Sequence, residues 1–178
     1  MRIVVCVKHV PDMQSERRFE GGRLVRGEDD VLNELDENAI EAAVQLKESE
    51  EDAGREAEVV ALTMGPEDAE DSLMRALQMG ADRAYIVSDE FLEGSDVITT
   101  ASVLSVAIAK IAQECGPVDL VLTGMASLDA MTSMLPAALA AKAHMPLLGL
   151  ARSLSVEGGA VTIERAVDGY TETVRAAL

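Results

Sequence analysis

Two stretches of the chain set small residues, hydroxyls and acids just past a short apolar run. One is "DLVLTGMASLDAMTS", Asp119 to Ser133; the other is "LTMGPEDAED", Leu62 to Asp71. Strand, glycine turn and helix start in that order is how α/β proteins build a phosphate site, because the first N–H groups of a helix have no partner inside it. In the longer stretch Thr132 and Ser133 offer hydroxyls and N–H groups to a phosphate, and Asp129 offers an acceptor for a ribose hydroxyl. No Lys or Arg lies between Gly124 and Ala141. Taken alone, each turn reads better as a helix cap in a strand-to-helix connection. Two such turns on one cleft favour a nucleotide.

Covalent or acid–base chemistry has little to work with. His9 and His144 are the only imidazoles. His144 reads as a helix-end residue, and His9 stands at the end of the first strand near the expected cleft. There is no G-x-S-x-G elbow, Walker A pattern or G-x-G-x-x-G. An adenylate-transferring enzyme would need a Gly/Ser-rich phosphate loop after the first strand, and none is present. Cys6 and Cys115 lack metal-ligand or C-x-x-C spacing, and Cys6 in "IVVCV" reads as a buried small hydrophobe. "ESEED" and "PEDAED" read as solvated helix faces rather than metal sites.

The elements that must position these loops follow from periodicity. "RIVVCVKHV" (Arg2 to Val10) is a continuous β-branched run, as in a strand buried on both faces. The polar segment after it predicts a loop or small exposed hairpin turning at Gly21-Gly22. From Asn33, Leu35, Ala39, Ala42, Ala43 and Leu46 recur at helical spacing, with Asn33 or Asp36 as the cap. "AEVVALTM" is the second strand, and Gly65-Pro66 opens a helix to about Gln78 that Gly80 ends. "ADRAYIVSD" is the third strand. A long helix then runs to Gly116-Pro117, "VDLVLTG" is the fourth strand, and the next helix starts or kinks at Pro136. "LLGLARSLSVEGGAVTIERAVDG" alternates, with a hairpin turn at Gly158-Gly159. The expectation is one α/β domain over residues 1–178: a mostly parallel, doubly wound, Rossmann-like sheet with a C-terminal β-hairpin. Ligands of such sheets lie beyond the strands' carboxyl ends, here the loops after Val10, Met64, Ser88 and Thr123.

Composition narrows the partners. Thirty-two acids against fifteen bases give a net charge of −17, which repels nucleic acid and anionic lipid. Only four of the bases are Lys, and scarce Lys with distributed acid suits a halophile as well as an ordinary acidic cytosolic protein; both readings stay open. Aromatics are 2% with no Trp, which leaves no stacking platform for single-stranded nucleic acid. The first residues run straight into a strand with no secretory signal, and no apolar stretch reads as long enough to span a bilayer. The expected compartment is the cytoplasm, with no membrane insertion.

"IVVCVKHVPD", "VLNELDENAIEAAVQLKE", "LTMGPEDAEDSLMRALQMGADRAYIVSD", "DLVLTGMASLD" and "IERAVDGYTETVRAAL" together resemble the β subunit of an electron-transfer flavoprotein, in that family's order along the whole chain. The resemblance implies a non-catalytic electron carrier. Such a subunit pairs with an α subunit that holds a redox-active FAD, and the pair carries electrons from flavin dehydrogenases to a quinone oxidoreductase or another acceptor. It also implies a structural AMP in this subunit, or a second FAD in electron-bifurcating relatives. The positions implied to line the AMP are Cys6, Asn33, Glu34, Leu35, Asp36, Met64, Gly124, Met125, Ala126, Ser127, Leu128, Asp129, Thr132 and Ser133. Three features depart from the family pattern. Met125 replaces a cation after the loop glycine, and "DAMTSM" replaces "DGDTGQ" with Asp129 and Thr132 kept. The chain stops at Leu178, where the family continues into a C-terminal arm that wraps the α subunit. An eroded nucleotide site is therefore expected, and a scaffolding subunit or a stand-alone nucleotide-binding domain are the alternative functions.

Overall fold

A computed structural model describes all residues, Met1–Leu178. Its strands are β1 (Arg2–Cys6), β2 (His9–Pro11), β3 (Phe19–Glu20), β4 (Arg23–Leu24), β5 (Asp30–Leu32), β6 (Glu58–Met64), β7 (Arg83–Val87), β8 (Leu120–Thr123), β9 (Ser153–Glu157), β10 (Ala160–Val167) and β11 (Tyr170–Ala177). The helices are α1 (Glu34–Asp52), α2 (Glu70–Gln78), α3 (Val97–Cys115) and α4 (Leu135–Ala143), with 3-10 turns at Glu67–Ala69 and Glu90–Leu92.

The central sheet has the order β7-β6-β1-β8, with every pairing parallel. Its strands alternate β-branched and aliphatic residues toward two separate cores. Ile3, Val5, Val59 and Ala61 face Ala39, Ile40, Ala43 and Leu46 of α1 and Leu73 and Ala76 of α2. Val4, Cys6, Val60 and Leu62 face Ala101, Leu104, Ile108 and Ile111 of α3 and Leu139 of α4. Helices on both faces make the sheet doubly wound, as expected. In chain order the four parallel strands stand 3-2-1-4, so the order reverses between β1 and β8. The crevice beyond Cys6 and Thr123 is thus the topological switch point, where such sheets bind ligands.

Four details differ from the sequence reading. The run Arg2 to Val10 is not one strand: β1 ends at Cys6, and β2 pairs antiparallel with β5. The chain leaves the sheet at Lys8 because α1's N-terminal segment takes both of its backbone groups. The Lys8 N–H donates to Asp36 Oδ2 at 2.8 Å, and its carbonyl accepts from the Asn33 N–H at 2.9 Å. Second, Asn33 occupies the N-cap position of α1 without a side-chain capping bond. Third, the C-terminal hairpin β9-β10 is extended by β11 through a second turn at Asp168-Gly169, making a three-stranded antiparallel sheet. Its Leu154 and Val156 pack on the α1-side core. Fourth, α3 is long and apolar enough to cross a membrane by length and composition alone, with a mean hydropathy of 1.3. Here it is a layer helix, its Ala101, Leu104, Ile108 and Ile111 buried against the sheet.

The hairpin at Gly21-Gly22 forms, both glycines having positive φ. It belongs to an arm between β2 and β5 that stands over the same end of the sheet.

Candidate functional site

Two side chains at the start of α1 hold the loop after β8. Asp36 is buried, and its carboxylate bridges the ends of the two strands that flank the switch point. Oδ2 accepts from the Lys8 N–H at 2.8 Å, beyond β1, and Oδ1 from the Gly124 N–H at 3.2 Å, beyond β8. Burial pushes this carboxyl up to about 6 from 3.8, against the hydrogen bonds from Asn33, Lys8 and Gly124 and the Lys8 charge. Asn33, fully buried, donates from Nδ2 to the Ala126 carbonyl at 2.9 Å and accepts at Oδ1 from the Leu128 N–H at 3.1 Å. Its amide substitutes for a neighbouring strand and turns to the loop rather than to the first N–H groups of α1.

Gly124 is a steric requirement. A Cβ there would lie 2.2 Å from Asp36 Oδ1 and 2.9 Å from the Leu35 carbonyl oxygen. Its space is filled by the protein's own carboxylate rather than left open to a ligand.

The loop has no cation of its own, but the fold delivers three. Lys8 Nζ donates to both oxygens of Asp129, at 2.8 and 3.0 Å, and lies 3.4 Å from Ser127 Oγ. Arg26, from the arm, pairs with Asp129 Oδ2. Arg17, also from the arm, donates to the Leu128 carbonyl at 3.1 Å. The Asp129 side chain is 1% exposed. Burial works against its charge, but the bonds from Arg26, Lys8 and Ser127 and the Lys8 charge outweigh it and hold the carboxyl far below the usual range.

Among the residues expected at the site, Asn33, Leu35, Asp36, Gly124, Ala126, Ser127, Leu128 and Asp129 are drawn into one hydrogen-bonded or closely packed cluster. Glu34 is solvent-exposed at the start of α1. Cys6 and Met64 lie at the ends of β1 and β6 with their side chains in the α3-side core. Burial, and secondarily the Asp36 charge, pushes the Cys6 thiol up to about 12, so it remains a neutral packing group. Met125, Thr132 and Ser133 are exposed, and Thr132 and Ser133 spend neither N–H nor hydroxyl on the protein. Met131 and Ser133 take positive φ, 51° and 53°. His9 is buried with Nδ1 2.8 Å from Ser72 Oγ, a structural contact away from the loop. His144 ends α4 in the left-handed conformation, as a helix-end residue.

Lys8, Arg17 and Arg26 are not legible in the loop's own sequence because they come to it from other segments of the chain. Of the three, Lys8 carries a sequence signal, since it stands two residues past the end of β1, in the loop region that a doubly wound sheet aims at its ligand.

Residues 22–178 match the family described as the electron transfer flavoprotein domain. The chain belongs to that family. It is 39% identical over 179 residues to the electron transfer flavoprotein subunit beta of Mycobacterium leprae (strain TN), covering 99% of this chain and 66% of the relative. The subunit beta of Megasphaera elsdenii is 37% identical, with 97% of this chain and 64% of the relative covered. The "Caffeyl-CoA reductase-Etf complex subunit CarD" of Acetobacterium woodii is 36% identical, over 96% and 63%. The chain therefore spans just under two thirds of the length of these electron-transfer flavoprotein relatives.

Whether an AMP suits the residues present divides by its parts. Thr132 and Ser133, unspent and one turn before α4, together with Lys8 and Arg26 nearby on the same loop's partners, suit a phosphate. The nucleoside half finds less. Asn33, Asp36 and Asp129 already bond protein partners, and no buried side-chain polar atom lacks one. For Asp129 to accept from a ribose, it would have to give up Lys8 or Arg26.

Proposed function

We propose that the protein is a β-type electron-transfer flavoprotein subunit, working in the cytoplasm as a non-catalytic partner of an FAD-bearing α subunit. The pair would carry electrons from flavin dehydrogenases to a quinone oxidoreductase or another acceptor. AMP is the proposed ligand of the switch-point loop, with a structural role. Phosphate would sit at Thr132 and Ser133 before α4, and the segment Asn33–Asp36 with Met64 would border the adenosine. The observation that carries the reading is the bracing of the Gly124–Asp129 stretch by Asn33 and Asp36. Two buried polar side chains are spent on the shape of one loop at the sheet's topological switch point. That is a costly arrangement unless the loop's shape matters, since a buried polar group must find partners in full.

Co-expression with an α subunit, followed by purification, tests the proposal. The expected product is a yellow heterodimer, whereas the chain alone shows no stable flavin absorbance. Tight flavin binding by the isolated chain would point instead to a second flavin in this subunit. A colourless heterodimer would leave a scaffolding role.

A further inference from the structure

Asp129 is the innermost member of an ion cluster whose cations come from elsewhere in the fold. Lys8 approaches from the end of β1 and Arg26 from the arm, and both meet the same carboxylate. The side chains of Lys8 and Arg26 are 40% and 41% exposed, against 1% for Asp129. The acid is therefore buried beneath two cations that turn part of their donor surface to solvent. An ammonium has three donors and a guanidinium five, so a single carboxylate cannot saturate both. Counting Arg17 at the Leu128 carbonyl, three cations stand around two carboxylates, Asp129 and the buried Asp36 whose charge Lys8 also feels, in a molecule whose net charge is −17. Over the whole chain acids outnumber bases about two to one, so three cations gathered on one loop stand out from the rest of the sequence.

We propose that Lys8 and Arg26 are the anion-holding pair of this site, that Asp129 is their resident counter-ion, and that the group they take is a phosphate monoester. This rests on the reading of the loop as a nucleotide site and supplies the charge that the loop itself lacks. A phosphate dianion shares the two cations with Asp129 or displaces it from them. The carboxylate and the ligand are competitors, so Asp129 lowers affinity while keeping the cations soluble and oriented in the ligand-free protein. Because Arg26 rides on the arm, and Arg17 of that arm already donates to the Leu128 carbonyl, the bound anion also ties arm to loop. Affinity is thereby shared between two segments that are far apart in sequence.

Calorimetry with AMP, adenosine and inorganic phosphate separates the possibilities, using the protein and its Lys8→Met, Arg26→Gln and Asp129→Asn forms. Each cation removed should weaken AMP about tenfold or more, the size of a charge-assisted bond, and leave adenosine unchanged. Asp129→Asn should tighten both AMP and phosphate by about tenfold. A second readout needs no variant: acetylation of the Lys8 amine, followed by mass spectrometry, should be slowed by AMP and by phosphate but not by adenosine. AMP binding that survives both cation substitutions would overturn the pair while leaving the nucleotide reading standing. Equal loss of AMP and adenosine would assign the cations a structural role and also overturn it. If neither the protein nor Asp129→Asn binds AMP or phosphate, and Lys8 acetylation is unaffected, the pair and the nucleotide site both fall.

Discussion

The carboxylate of Asp36 and the missing side chain of Gly124 form one unit, and each constrains the other. With a Cβ at position 124 only 2.2 Å from Asp36 Oδ1 and 2.9 Å from the Leu35 carbonyl, Gly124→Ala must push either the carboxylate or the α1 backbone aside. Forcing atoms into a packed site costs about 1–3 kcal/mol. Urea denaturation should show a loss at the upper end of that range, because the Lys8 and Gly124 N–H groups lose their acceptor as well. Asp36 itself has a second, pH-dependent signature. Its carboxyl titrates at about 6 when folded and at 3.8 as a free group, so the folded state binds the proton more tightly. Its stabilising contribution is then full below about pH 4 and is lost as pH rises through about 6, the reverse of an ordinary paired carboxylate. The gap between the two values corresponds to about 3 kcal/mol. Asp36→Asn removes this slope, so the stability difference between the two proteins should move by about that amount between pH 4 and pH 7, in favour of the variant. A pH-independent difference would mean that Asp36 is not held in a desolvated site. Asp129 acts in the opposite sense and in a different window. Its depressed carboxyl contributes stability above about pH 4 that is lost only as pH falls further, so the two effects separate on a pH axis.

At the scale of the element, what was legible in the sequence divides sharply by range. The second to fourth parallel strands and the first as far as Cys6, the hairpin at Gly21-Gly22, the start of α4 by Pro136 and the stop of α3 at Gly116 all follow from local pattern, and all stand where it puts them. The misses are long-range. Nothing near Lys8 in the sequence says that its N–H will go to a carboxylate 28 residues away, so Arg2 to Val10 reads as one strand. Asn33 has the right chemistry for a helix cap, and only the fold reveals that the Gly124 loop claims its amide first. The site was legible as a place, by strand-end logic, but not as a set of charges, since Lys8, Arg17 and Arg26 belong to other segments. The loop's own weakness is readable in its backbone. Ser133, two residues before α4, holds φ 53°, a left-handed conformation that costs an L-residue about 1–2 kcal/mol. Ser133→Gly should recover about 0.5–1 kcal/mol in thermal or urea denaturation, the glycine's greater unfolded-state freedom offsetting part of the gain. The same change, combined with Met125→Lys, Met131→Asp and Met134→Gln, restores the charge, backbone freedom and side-chain donor that the family pattern places there. AMP affinity in calorimetry should rise at least about tenfold, equivalent to one good charge-assisted contact. A fourfold variant that binds no better would remove the loop after β8 from the list of nucleotide sites.

For the whole molecule the governing quantity is charge. The surface carries most of the net −17, and few of its acids are paired: Glu58 with Arg2 and Arg83, Glu50 with Arg55, and Asp82 with Lys47 are among the pairs that exist. Surface pairs of this kind each contribute at most about 1 kcal/mol, too little to offset repulsion spread over the whole surface. Repulsion among exposed charges falls as the Debye length contracts from about 10 Å at 0.1 M salt to about 3 Å at 1 M. The local pairs weaken under the same screening, but they are outnumbered, so the balance is stabilising. The thermal midpoint should therefore rise between 0.1 and 1 M potassium chloride. A shift of at least about 2–4 °C is expected, which corresponds to ~1 kcal/mol in a domain of this size. Chloride salts serve better here than sulfate, because sulfate also strengthens apolar burial and would confound the two effects. Replacing exposed, unpaired acids far from the switch point, such as Glu48, Glu51 and Asp52 at the end of α1, by Gln or Asn should raise the low-salt midpoint and flatten the salt response together. If the midpoint is indifferent to salt while those substitutions still stabilise, their effect is local to the C-terminal end of α1, where acids oppose the helix dipole. Long-range self-repulsion then plays no part in the stability of the chain.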